Sequence, residues 1–157
     1  IINIKMKKTL TLVLAIFAFG IFESNAQDYK IAAGLGVSFG SDFTFFGPSG
    51  QFFLAEEHAL QGELFFEKGV TMVNALYNYN GAIGDVEGLN WFAGGGLSFL
   101  FGNGGGSELA LRPMGGLEYI IDGAPLALSF DWRPILGLAD LSNEVGTFSI
   151  GIRYVIK

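Results

Sequence analysis

Residues 126–134 read Leu-Ala-Leu-Ser-Phe-Asp-Trp-Arg-Pro. Leu126, Leu128, Phe130 and Trp132 take alternate positions, with Ala127, Ser129, Asp131 and Arg133 between them. A β-strand sends successive side chains to opposite faces, so this period of two puts the bulky apolar residues on one face and the small or charged ones on the other. A helix would mix the two sets.

The same alternation runs outward in both directions. Towards the C-terminus, Phe148, Ile150, Ile152 and Tyr154 oppose Thr147, Ser149, Gly151 and Arg153. Towards the N-terminus, Leu109, Leu111, Leu117 and Tyr119 oppose Ala110, Arg112, Gly116 and Glu118; Leu89, Trp91, Ala93, Leu97, Phe99 and Phe101 oppose Asn90, Phe92, Gly94, Gly96 and Ser98. Val73, Ala75, Tyr77 and Tyr79 oppose Met72, Asn74, Leu76 and Asn78, and Leu60, Gly62, Leu64 and Phe66 oppose Gln61, Glu63, Phe65 and Glu67. From Tyr29 to Phe39 the odd positions are apolar and the even ones small or basic. A further strand around Ser49 to Leu54, with Phe52 and Leu54 on one face and Gln51 and Phe53 on the other, completes eight.

Turn chemistry separates them: Gly40-Ser41-Asp42, Glu56-Glu57-His58, Lys68-Gly69, Asn80-Gly81, residues 102–106, residues 122–125 and Ser142-Asn143. Eight strands of about 9–11 residues with short connections use up this length. Pro48, Pro113 and Pro134 lack a donor, so bulges or strand ends are expected there.

Before the first strand, Met6 opens a Lys7-Lys8 head, an apolar run over residues 10–22 and a Ser24-Asn25-Ala26 tail. That is the pattern of a helical secretory signal peptide over residues 1–26, with Ile1 to Lys5 as an upstream extension; the run is too short to span a bilayer. Of 157 residues this leaves 131, a single domain over residues 27–157. Six basic residues stand there against 14 acidic ones, a net charge of −8. Such a chain has no basic footprint for nucleic acid, and with no cysteine it can build neither a disulfide scaffold nor a thiolate metal site.

Which face meets which medium follows from charge. The bulky face of all eight strands carries no Lys, Arg, Asp or Glu, whereas the other carries Lys30, Glu63, Glu67, Arg112, Glu118, Asp131, Arg133 and Arg153. Both Trp and all five Tyr belong to the bulky set, more volume than the interior of an eight-stranded barrel holds. Turned outward into lipid, the same residues form the apolar band of a transmembrane β-barrel, where a mid-depth charge would cost about 2–4 kcal/mol. Strand directions then put Tyr29, Tyr79, Trp91, Tyr119 and Tyr154 at one rim, with Tyr77 close by. Amphipathic rings prefer the lipid–water boundary, so these are expected to form an interfacial girdle.

The leader, the dyad pattern, the Asp131-Trp132-Arg133-Pro134 strand and the closing Gly151-Ile152-Arg153-Tyr154 resemble the small eight-stranded outer-membrane β-barrels of Gram-negative bacteria, the OmpA-barrel and OmpX type. The likeness covers residues 27–157. It implies an antiparallel up-and-down transmembrane barrel in the outer membrane, monomeric, with membrane lipid and the barrel-insertion machinery as partners. Members usually end in an aromatic residue which that machinery reads; here Tyr154 stands three positions before Lys157.

Inside such a barrel Glu63, Glu67, Glu118 and Asp131 can pair with Arg112, Arg133 and Arg153. A structural ion-pair network is preferred to a proton or ion path, because a buried charge without a partner is expensive. If residues 122–125 pair Ile121 with Leu126, Glu118 lies opposite Ser129; if residues 137–145 pair Leu136 with Gly146, Ser129 lies opposite Arg153. Glu118 and Arg153 would then flank one level of the lumen. His58 between Glu57 and a strand reads as a solvated turn residue, since no Ser or Asp is placed to act with it as nucleophile, and as a metal ligand it is weak. Gly94-Gly95-Gly96 and Gly104-Gly105-Gly106 are followed by no Gly-Lys-Ser/Thr, so they read as a strand bend and an external loop. Asp42, Asp85, Glu87, Asp140 and Glu144 read as solvated loop acids.

The sequence thus points to a barrel with a filled polar lumen, no enzymatic centre and no cofactor, acting structurally or through surface loops 102–107 and 137–145. The rival readings are a narrow channel, an outer-membrane lipid-modifying enzyme and a soluble secreted lipid-binding barrel.

Overall fold

The computed structural model describes residues 30–156; the expected leader, Tyr29 and Lys157 fall outside them. The described chain is all β: β1 (Ile31–Phe39), β2 (Thr44–Phe53), β3 (His58–Glu67), β4 (Val70–Ala82), β5 (Leu89–Phe101), β6 (Ser107–Leu111), β7 (Met114–Ile120), β8 (Leu126–Trp132), β9 (Leu136–Gly137) and β10 (Phe148–Ile156). Each pairs antiparallel with its neighbours, and β1 pairs with both β2 and β10, so the sheet closes on itself.

These ten segments make eight staves. β6 and β7 are one stave interrupted at Arg112-Pro113: the register against β5 runs from Leu97↔Leu111 to Gly94↔Met114 without a slip, and Gly96 and Arg112 exchange backbone hydrogen bonds of 3.2 and 2.9 Å across the break. β8 and β9 form the next stave, interrupted at Arg133-Pro134-Ile135. Between the pairs Gly115↔Trp132 and Leu111↔Leu136, the register sets Pro113 opposite Pro134. Two residues without an N–H thus face each other, which confines the missing donors to one rung of one ladder.

Pro48 behaves differently. It lies inside β2, which begins at Thr44 rather than near Ser49, and the β2–β3 pairing skips Gly47 and Pro48 before resuming at Ser49↔Glu63 in unchanged register. No bulge is needed, because the closed sheet tolerates a local gap held from both sides by continuous pairing. Asn80-Gly81 is not a turn. β4 runs on to Ala82, and the chain reverses over residues 83–88, where Gly84 and Gly88 take φ of 44° and 85°. Gly81 instead makes room on the outer face: a Cβ there would stand 2.6 Å from Trp91 Nε1.

The alternation read from the sequence places the side chains. Trp132 and Phe130 are 49% and 51% exposed on the outside, whereas Arg112, Arg133 and Arg153 are 0%, 1% and 2% exposed within. The interior is packed in layers. Ala32, Phe53, Ala59, Ala127 and Val155 cluster towards the rim that carries Ile31 and Ile156, and Phe45, Phe65, Met72, Ala110 and Ile135 cluster towards the opposite rim. β1 supplies glycine where the interior is crowded: a Cβ on Gly36 would stand 2.7 Å from the Phe65 ring.

Candidate functional site: the barrel interior and the outer girdle

Between the two apolar clusters lies a polar layer organised around Glu63 and Arg133. They sit on β3 and just beyond β8, on opposite sides of the barrel, and Arg133 Nη1 reaches Glu63 Oε2 at 2.6 Å. The same guanidinium grips Asp131 on its own stave with two bonds, Nε to Oδ2 at 2.8 Å and Nη2 to Oδ1 at 3.0 Å. Planar two-pronged pairing of this kind is the strongest geometry open to Arg and a carboxylate. Glu63 also accepts from Gln61 Nε2 at 2.6 Å, Asn74 Nδ2 at 2.8 Å and Ser49 Oγ at 3.5 Å. The carboxylate loses its water on burial and is resolvated by four protein donors.

A second ion pair joins Arg153 on β10 to Glu118 on β7, Nη2 to Oε2 at 3.2 Å. Arg153 also donates to Ser129 Oγ at 3.3 Å and to Ser49 Oγ at 3.4 Å, which links it to the Glu63 group. Glu118 lies opposite Ser129, as the turn over residues 122–125 predicts. Ser129, however, lies opposite Gly151 rather than Arg153. The chain reverses earlier than a loop over residues 137–145 would have it: Ile135, expected opposite Thr147, pairs with Glu144, and the one extra residue before Thr147, which meets Arg133, recovers only a single step of register. The long Arg153 side chain spans the offset.

Arg112 completes the charge balance without touching a carboxylate among the described residues. Its guanidinium donates to Ser98 Oγ at 3.1 Å, Met72 Sδ at 3.2 Å and the Arg133 carbonyl at 3.3 Å. Glu63, Arg133 and Asp131 together carry one excess negative charge, so Arg112 offsets it from the neighbouring stave. Ser98 in turn hydrogen-bonds Asn74, which joins Arg112 to Glu63. Glu67 stands apart at the far rim, where its carboxylate accepts from the Thr44 backbone N–H at 2.8 Å.

Reading charges alone misses half of this layer. Gln61 accepts from Asn78 at 3.2 Å; Asn78 accepts from Gln51 at 3.4 Å and from Asn80 at 2.9 Å; and Asn80 reaches the Glu57 carbonyl at 3.4 Å. A neutral amide chain therefore runs from Glu63 down to the rim. Its sequence signal is the run of Asn74, Asn78 and Asn80 on the inward phase of one strand. Chemically the layer is a hydrogen-bonded network that ties seven of the eight staves together, with Gln51 Oε1, Asn80 Oδ1, Arg112 Nε and Arg153 Nε left without a hydrogen-bond partner among the described residues.

On the outside, Tyr79, Trp91, Tyr119 and Tyr154 all project from the barrel near the rim bearing Ile31 and Ile156. Tyr79 and Trp91 touch, with ring centroids 5.7 Å apart. His58 packs edge-on to Tyr79 at 5.3 Å and stacks on Tyr77 at 5.9 Å, while Tyr77 and His58 Nδ1 share a hydrogen bond. The Tyr79 hydroxyl donates to Glu57 Oε2 at 2.6 Å. His58, expected in a turn, is the first residue of β3 and is committed to aromatic neighbours. Towards the far rim, Phe39, Phe148 and Phe130 form a continuous ring stack, and Trp132 Nε1 donates to the Val145 carbonyl at 2.6 Å.

No protein-family model and no curated protein matches the chain.

Proposed function

We propose that this chain is a monomeric transmembrane barrel of a Gram-negative outer membrane, exported by a cleaved leader, with a solid polar interior and a structural or surface-interaction role. One observation carries the reading: no outward-facing strand position bears a charge, while Leu35, Phe46, Leu117, Phe130, Trp132 and Ile152 stand open to the surroundings. Water would leave this belt unsatisfied, and an apolar patch of that extent on a soluble monomer is an association site. Lipid covers it at no such cost. Strands of 9–13 residues suit a band about 25 Å tall when tilted. Backbone closure leaves no edge to hydrogen-bond in hydrocarbon.

The packed interior favours a plug over a channel, and its buried carboxylates are held by guanidiniums, Glu63 and Asp131 by Arg133 and Glu118 by Arg153, rather than kept ready for a substrate. Loops 102–107 and 137–145 share the rim opposite Ile31 and Ile156, the side on which a barrel with periplasmic termini presents its outer surface.

Electrophoresis of membrane fractions with and without boiling tests the reading. An inserted closed barrel resists detergent, stays with the membranes and changes mobility when boiled. A chain recovered from the soluble fraction without detergent would instead be a soluble lipid-binding barrel.

A further inference from the structure

The rim bearing Ile31 and Ile156 carries more than a generic girdle. His58, Tyr77, Tyr79 and Trp91 line up on β3, β4 and β5 as a contiguous aromatic strip on the outer face, each ring within 6 Å of the next. The strip is fixed. Tyr77 is tied to His58, Tyr79 to Glu57, and Gly81 leaves room for the Trp91 indole. The Glu57 backbone is pinned to β4, its carbonyl accepting from Asn80 N at 2.7 Å, so the carboxylate is held at the strip's edge. Tyr77 and Trp91 still expose 40% and 39% of their surface. Glu56 adjoins Glu57 in the turn, and the only lysine described at this rim, Lys30, lies over the Phe52 ring at 5.5 Å.

Electron-rich ring faces beside a fixed carboxylate make a cation site, and its position on the lipid-facing side at headgroup depth selects the cation. We infer that the Glu57–Tyr79–Trp91 end of the strip binds the primary ammonium of an ethanolamine phospholipid headgroup. The ammonium donates hydrogen bonds to the Glu57 carboxylate, whose Oε2 already accepts from Tyr79, and lies against the face of Trp91, the ring next to Tyr79. A glycerol headgroup offers no cation to either. The inference rests on the membrane reading above, and its test separates the two.

The protein is folded into vesicles of phosphatidylglycerol or of phosphatidylethanolamine with phosphatidylglycerol, with brominated acyl chains on one lipid at a time. Trp132→Phe leaves Trp91 as the described reporter, and quenching gives relative lipid occupancy at the strip. The expected result is a preference of about threefold for the ethanolamine lipid, the size of an exposed cation–π contact. Glu57→Gln, which keeps an acceptor for Tyr79, should remove most of that preference while the barrel still shifts mobility on boiling. An inserted barrel with no preference, or one whose preference survives Glu57→Gln, overturns the headgroup site and leaves the membrane reading standing. A chain that does not enter vesicles overturns both. Protection of Trp91 by added oligolysine in place of lipid would make the occupant a basic protein segment and defeat the lipid assignment.

Discussion

Glu63 and Arg133 are 70 residues apart in the chain and 2.6 Å apart across the barrel interior. Their contact exists only once the sheet has closed, since β3 and β8 share no ladder. The pair therefore acts as a tie across the cylinder, and each partner is buried so deeply that it depends on the other.

Breaking that tie from either side should be costly and unequal. Arg133→Met takes from Glu63 and Asp131 the one guanidinium that bonds both, and a loss of about 3–5 kcal/mol is expected for breaking a buried ion pair from one side. Glu63→Gln keeps an acceptor for Asn74 and should cost less. Urea unfolding of the vesicle-inserted barrel measures both, and a smaller loss for Arg133→Met than for Glu63→Gln would contradict the arrangement.

Arg153 links Glu118, Ser129 and Ser49 through one fork. Arg153→Ala should lower the unfolding midpoint in detergent, and Arg153→Lys should recover only part, because one ammonium cannot reproduce the planar fork. An unchanged midpoint for Arg153→Ala would show that the Glu118 pair contributes nothing to the fold.

Two glycines give a matched comparison. Gly36→Ala drives a methyl to 2.7 Å from Phe65, which is fully buried, and overpacking of this sort costs about 1–3 kcal/mol. Gly62→Ala on the outer face meets nothing within 4 Å and should be neutral or slightly stabilising. Thermal or urea midpoints for the pair decide; equal losses would argue against the inward crowding around Phe65.

Much of the fold was legible beforehand because a strand's period is rigid: once Leu126 to Arg133 fixed one face, the phase of every strand followed. Register was less accessible. Placing Ser129 opposite Arg153 failed because the chain turns back early enough to pair Ile135 with Glu144, a reversal point that no local pattern reveals. Asn80-Gly81 carried a turn signature, but pairing with Trp91 held it in the strand, where glycine serves the indole instead. Charge could be counted on the inner face, yet the partner of each charge depended on barrel width and stagger. Arg112 shows this: it offsets a carboxylate group that it does not touch. The amides Gln51, Gln61, Asn74 and Asn78 carry no charge, so a count of charges passes over them, and only the inward phase of Asn74, Asn78 and Asn80 on one strand marks the chain.

If the lumen is a plug, reconstitution into a planar bilayer should give no steady conductance above the bare membrane. Stable single-channel steps would favour the channel reading and show that the cluster around Phe45, Phe65 and Ile135 opens.

The chain has no cysteine, so single cysteines can be introduced and spin-labelled without background. Labels at Leu117, Leu128 and Ile152 in the vesicle-inserted protein report the medium at the outer face through their collisions with oxygen and with a water-soluble nickel chelate. Lipid contact predicts frequent oxygen collisions and almost no nickel collisions at all three sites. Ready access of the chelate to all three would place the bulky face in water and contradict the account.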